Sequence, residues 1–150
     1  MGVEALHAFL RRHSRLALDT STFIYQAEQN PRYADLAFHV FNWLETPQNQ
    51  AVTSTVTMTE LLVQAYREDD TDRADKVVGM FGAYPNLLWI PADLDVADLA
   101  ARMRALYRMR TPDALQAATA IYAGATGLVT NDPIFKRLEK IEVAVLDEFV

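Results

Sequence analysis

No cysteine occurs among the 150 residues. Disulfides and thiolate metal sites are therefore excluded, and a reducing cytoplasm is the expected setting. No apolar run reaches the roughly 18 residues of a membrane helix. The opening stretch MGVEALHAFLRRH lacks a signal-peptide core. Histidine is sparse: His7, His13 and His39 are the only three, no metal-ligand spacing joins them, and they read as surface or packing residues. Gly-rich phosphate loops and a Gly-x-Ser-x-Gly elbow are absent. Bases are outnumbered too, 14 Lys and Arg against 20 Asp and Glu, for a net charge of −6. That balance argues against nucleic-acid binding by bulk electrostatics. It leaves room for an enzyme whose acidic site recruits a cation.

What is present is enough apolar material, 51% of the residues, to close a core in one domain. Residues 3–13 read as an amphipathic helix, followed by a strand over 15–19, RLALD. A helix begins at TSTFIYQAEQ, breaks at Pro31 and resumes with Leu36, Val40, Trp43 and Leu44 at helical spacing. QAVTS (50–54) reads as the second strand, 57–68 and 72–83 as helices, and NLLWIP (86–91) as the third strand. Asp95 is placed to cap a helix reaching 108, and Thr111-Pro112 to cap and start another reaching 123. GLVTN is the fourth strand, Pro133 opens a short helix, and VAVLD (143–147) is the fifth strand. Short apolar strands alternating with helices predict a parallel sheet covered on both faces, a three-layer α/β/α domain over 1–150 whose first 14 residues form a helical extension.

Four carboxylates fall at one edge of that sheet. Asp19 ends the first strand and Asp132 follows the fourth; Glu60 and Asp113 lie in the first turns of their helices. Open parallel sheets bind ligands at the carboxyl ends of their strands. Each acid also has a plain structural reading: Asp19 and Asp132 as N-caps, Thr57-x-x-Glu60 as a capping box, Asp113 as a complement to a helix dipole. Clustered carboxylates repel and raise one another's pKa unless a cation intervenes, and an all-oxygen set suits Mg²⁺ or Mn²⁺.

The segments LALDTSTFIY, TVTMTELL, RTPDALQAATA and GLVTND, in this order and spacing, resemble the motifs of PIN-domain nucleases, and among them VapC-like toxins of toxin–antitoxin pairs. The resemblance runs from Arg15 to the C-terminus. It implies a sheet of about five strands in the order 3-2-1-4-5 with about seven helices, and a Mg²⁺- or Mn²⁺-dependent ribonuclease hydrolysing RNA phosphodiester bonds. It implies a ligand and catalytic set of Asp19, Glu60, Asp113 and Asp132, with Ser21, Thr130 and Asn131 shaping the site. It also implies a cognate antitoxin and a homodimer as partners. Two features depart from the family pattern: Ile134 stands where members often carry a further acid, and the segment before Arg15 is longer than usual.

Two basic clusters flank the acids. Arg102, Arg104, Arg108 and Arg110 precede Asp113, and Lys136, Arg137 and Lys140 follow Asp132. They read as phosphate contacts, Arg110 foremost, or as solvated helix faces. The rival readings are a PIN-fold binding or scaffold module with a decayed site, and an aspartate-based phosphatase. The second lacks the Asp-x-Asp it needs, since Thr20 and Ser21 follow Asp19.

Overall fold

The computed structural model describes residues Met1–Val150. Its elements are α1 (Val3–Arg11), β1 (Arg15–Leu18), α2 (Thr20–Glu28), α3 (Ala34–Leu44), β2 (Gln50–Ser54), α4 (Thr55–Arg67), α5 (Thr71–Gly82), β3 (Leu87–Ile90), α6 (Leu94–Tyr107), α7 (Thr111–Tyr122), β4 (Gly127–Thr130) and β5 (Glu142–Val145), with 3₁₀ turns at Pro133–Arg137 and Leu146–Phe149. The five strands form one parallel sheet in the order β3-β2-β1-β4-β5, as expected.

The central strands are apolar on both faces because helices cover both. Successive side chains of a strand point to opposite sides. Leu16 and Leu18 of β1, Ala51 of β2 and Val129 of β4 enter one core, with Leu6, Phe23, Phe41 and Phe81. Ala17, Val52 and Leu128 enter the other, with Val96, Ala117 and Phe135. Small residues along α7 let it lie close against the sheet: Ala114, Ala117, Ala118 and Ala120 are fully buried.

Helix α1 is part of the first core. Leu6, Phe9 and Leu10 are buried along one side of it, and His7 Nε2 lies 3.0 Å from His39 Nδ1 of α3. His13 is buried, with Nδ1 2.7 Å from Thr126 Oγ1. The histidines thus pack, as expected, although two of them also join α1 to α3.

Several local expectations are corrected. Asp93, not Asp95, caps α6: its Oδ1 accepts from Val96 N at 3.0 Å, the register that buries Val96 and Ala100. Thr111 and Pro112 are the first two helical residues of α7, and Arg110 holds the N-cap position without a side-chain cap bond. The helix after Pro133 is a 3₁₀ turn. The last strand is Glu142–Val145, because Leu146 turns into the final 3₁₀ segment and is buried there. The Thr57–Glu60 capping box does not form: Ser54 caps α4, accepting from Val56 N at 3.1 Å, and Thr57 is buried inside the helix.

Gly127 opens β4 opposite Leu16. A Cβ there would stand 2.7 Å from Leu16 Cδ2 and 3.0 Å from the His13 ring. Both neighbours are buried and have little room to withdraw. Gly127→Ala is expected to cost about 1–3 kcal/mol in urea denaturation; a loss under about 0.5 kcal/mol would show that this corner repacks freely.

Candidate active site

The register between β1 and β4 sets the site. Leu18 pairs with Val129, so the next residues, Asp19 and Thr130, stand side by side at the carboxyl edge. Asp19 N bonds to Val129 O at 3.2 Å, and then the chain turns into α2 with Asp19 as its cap. Asp19 Oδ1 accepts from Ser21 N at 3.1 Å and Ser21 Oγ at 2.6 Å, and Oδ2 accepts from the Thr130 hydroxyl. Thr130 Oγ1 in turn accepts from Asp132 N at 3.0 Å, so one hydroxyl ties the two aspartate segments together. Asp19 is buried, and burial pushes its carboxyl up to about 6. The bonds from Ser21 and Thr130 oppose that rise; the Glu60 charge adds to it.

The other three acids face the same edge by different means. Asp132 caps the 3₁₀ turn, its Oδ1 accepting from Ile134 N at 2.9 Å. Asp113 lies in the first turn of α7, its side chain 19% exposed and 3.6 Å from Arg110 Nε. Partial burial raises its carboxyl above the ordinary value; Arg110 opposes this, while Asp132 and Glu60 reinforce it. Glu60 is exposed on α4 and accepts from the Thr20 hydroxyl at 2.7 Å. Charge thus links Asp19 to Glu60, Glu60 to Asp113 and Asp113 to Asp132.

Asp19, Glu60 and Asp132 have no cationic partner in the chain, and Asp113 has only Arg110. As the side chains stand, no three of the acids converge closely enough to enclose an ion. Each acid is held by its own neighbours: Asp19 by Ser21 and Thr130, Asp132 by Ile134 N, Glu60 by Thr20 and Asp113 by Arg110. The backbone still delivers an all-oxygen donor set with an unbalanced buried charge, which fits a hard divalent cation.

The basic residues divide. Arg104 is turned inward to the α6–α7 junction, donating to Met109 O at 3.1 Å and to Thr111 Oγ1 at 3.0 Å. Lys136 is paired with Glu148. Arg108 ends α6 at the C-cap in the left-handed region, φ 57°. Arg108 is exposed, and Arg110 lies beside Asp113 with its side chain 82% exposed. Asn131 points away from the acids: Nδ2 donates to Tyr25 OH at 2.8 Å and Oδ1 accepts from Asp147 N at 2.7 Å. It fastens the β4 end to α2 and to the C-terminal turn. Beside Glu60, between α2, α4 and α5, opens a cavity of about 290 Å³ with Ile24, Leu61, Val77 and Met80 along its wall and Arg73 and Lys76 at its rim.

One buried polar residue near the acids, Gln116, lies outside the candidate set drawn from the sequence. Gln116 is buried and donates to Thr57 Oγ1 at 2.8 Å. A lone amide inside an alanine-rich, sheet-facing run was the available signal, because a buried amide needs partners.

Solved structures share the fold. VapBC2 from Rickettsia felis, bound to a promoter DNA fragment, is 20% identical over 87% of this chain and 97% of that one, with a TM-score of 0.66. VapC20 from Mycobacterium tuberculosis, a toxin that cleaves the sarcin–ricin loop, is 15% identical over 85% and 98%, with a TM-score of 0.67. VapBC-1 from nontypeable Haemophilus influenzae is 18% identical over 89% and 98%, with a TM-score of 0.67. No curated protein matches the chain in sequence. The PIN domain profile matches residues 16–141, from β1 through the entry to β5. With the four acids at the expected edge of a 3-2-1-4-5 sheet, the chain belongs to the PIN-domain family, the nucleases whose motifs its sequence carries.

Proposed function

We propose that the protein is a divalent-metal-dependent endoribonuclease and the toxin of a toxin–antitoxin pair. The observation that carries the nuclease reading is Asp19: a buried carboxylate without a cationic partner, beside three more acids. RNA as substrate and an antitoxin as partner are supported by the related folds, which include a loop-cleaving toxin and several VapBC complexes. A homodimer completes the set of expected partners.

Asp19 and Asp113 would hold Mg²⁺ or Mn²⁺ most directly, with Asp132 and Glu60 beside them. When bound, the cation supplies Lewis acidity, easing deprotonation of water and offsetting charge on phosphoryl oxygens. The chain's residues do the rest. Glu60, held at Oε1 by Thr20, keeps its other oxygen for orienting the attacking water. The water oxygen bonds to phosphorus as the P–O3′ bond breaks, leaving a 5′-phosphate and a 3′-hydroxyl. Arg110 and Arg108 hold the phosphate backbone, whereas Arg104 braces the α6–α7 junction and Lys136 is committed to Glu148. Ser21 and Thr130 keep Asp19 in place, and Asn131 keeps Thr130 and Asp132 in place through α2.

The test is cleavage of structured RNA oligonucleotides in EDTA, Mg²⁺ and Mn²⁺, with DNA of the same sequence as control. Metal-dependent cleavage of RNA is expected. A second reading, an inactive scaffold, draws on Ile134, whose side chain packs against the α6–α7 core where a further acid would stand. Calorimetry showing no Mn²⁺ binding at millimolar concentration would favour it.

A further inference from the structure

Beneath Glu60 lies a buried polar chain whose proton directions follow from its members. Thr53 Oγ1 donates its single proton to Leu18 O at 2.8 Å. Thr53 is therefore the acceptor in its 2.8 Å contact with Thr57 Oγ1, and Thr57 the donor. Thr57, its proton committed, accepts from Gln116 Nε2 at 2.8 Å. The same amide nitrogen is 3.4 Å from Thr20 Oγ1. Turning the Gln116 amide over would put its oxygen against Thr57 and strip a proton from one of these contacts. The backbone carbonyl of Leu18, an acceptor only, thus fixes the amide with its N–H groups toward both threonines. Thr20 Oγ1 has two acceptors in reach, Thr57 Oγ1 at 3.4 Å and Glu60 Oε1 at 2.7 Å; with Thr57 already accepting from Gln116, the shorter, charged contact takes the Thr20 proton outward to Glu60.

We propose that Gln116 is a positioning residue for Glu60, acting through Thr20: the amide holds Thr20 as a donor to Oε1 and so keeps the other carboxylate oxygen turned to the cleft. The proposal rests on the nuclease reading in that it gives Glu60 a place in the site. The four residues come from α2, β2, α4 and α7, which links the elements carrying Asp19, Glu60 and Asp113 through one proton-ordered path. Outer hydrogen-bond partners of metal-site residues commonly affect affinity or activity by about 10- to 100-fold.

The experiment compares Thr20→Val, Gln116→Met and the double variant, reading kcat and KM for RNA cleavage in Mn²⁺ and Mn²⁺ affinity by calorimetry. Thr20→Val is expected to lower kcat by about 10- to 100-fold with little change in KM, and Gln116→Met by about 5- to 10-fold. The double variant should match Thr20→Val within about twofold, because residues acting through one another are not additive. A purely structural role would lower the melting temperature and leave kcat unchanged in the folded fraction. If Gln116→Met does not fold, Thr57→Val removes the anchor of the amide, and a kcat loss at constant KM is expected from it. A double variant whose loss equals the product of the two single losses overturns the proposal, as does a Gln116→Met enzyme with wild-type kcat and Mn²⁺ affinity. A wild type that binds Mn²⁺ but cleaves no RNA overturns the nuclease reading alone; the proposal is then decided by non-additive loss of Mn²⁺ affinity.

Discussion

Asp19→Asn protein is expected to melt at a higher temperature than wild type in EDTA at pH 7, and to cleave RNA at least about 100-fold more slowly than wild type in Mn²⁺. Both results come from one buried charge. The folded carboxyl titrates near 6 and its ordinary value is 3.8. Folding therefore favours the protonated form, and the wild type is penalised once the group ionises. At neutral pH the difference corresponds to about 3 kcal/mol. Asparagine keeps an acceptor for Ser21 but leaves the Thr130 hydroxyl without one, a loss of about 1 kcal/mol. Relief of the charge wins by about 2 kcal/mol. The penalty is absent below 3.8, grows as pH rises toward 6 and is complete above it. Melting curves in EDTA should show the variant's advantage opening across that window and closing in acid. Mn²⁺ should reverse the order, because only a protein that binds the ion gains stability from it. A variant less stable than wild type at pH 7 in EDTA, or cleaving within tenfold of it, would remove Asp19 from the role assigned here.

Phe23→Ala is expected to cost about 3–5 kcal/mol, a large share of the roughly 5–15 kcal/mol that keeps a domain folded. Phe23 is wholly buried one turn into α2. Its ring meets Phe41 edge-on at 5.5 Å and Phe81 at 5.1 Å, with Trp89 at 5.8 Å. Alanine would leave a cavity among rings held by α3, α5 and β3, none of which can close it without moving the others. The consequence reaches the acids, since the start of α2 carries Asp19, Thr20 and Ser21. Urea denaturation gives the stability change, and calorimetry a parallel loss of Mn²⁺ affinity. Phe23→Leu should recover more than half of both. A change below about 1.5 kcal/mol for the alanine variant would mean that the aromatic cluster relaxes.

Sequence patterns carried the sheet well because β1, β2 and β4 are covered on both faces and so read as short continuous apolar runs. The acids were visible for a similar reason: each sits at the end of a run or in a first helical turn, where local signals are strong. What escaped depended on partners far along the chain. Gln116 is 96 residues from Thr20 and 59 from Thr57, so its alanine-rich context offered packing as the nearest account. Arg104 looked free because the turn that brings Met109 O to it exists only once α6 and α7 fold together. Asp95 and Asp93 are equivalent by local rules; burial of Val96 and Ala100 chooses between them. The side-chain positions of Asp19 and Glu60 depend on Thr130 and Thr20, partners that only the folded sheet brings to them.

The pairing of β1 with β4 has a consequence in time. The strand that ends at Asp19 lies beside a strand more than a hundred residues later, and Thr130 reaches Asp19 across 111 positions. During synthesis, β1 presents an open edge on that side until Gly127–Thr130 has left the ribosome. Only then is Asp19 enclosed, and only then does Asp132 join it. Parallel pairings this distant in sequence close late. A nascent chain therefore carries no assembled site for most of its growth, and its exposed β1 edge is the stretch most in need of shielding during that interval.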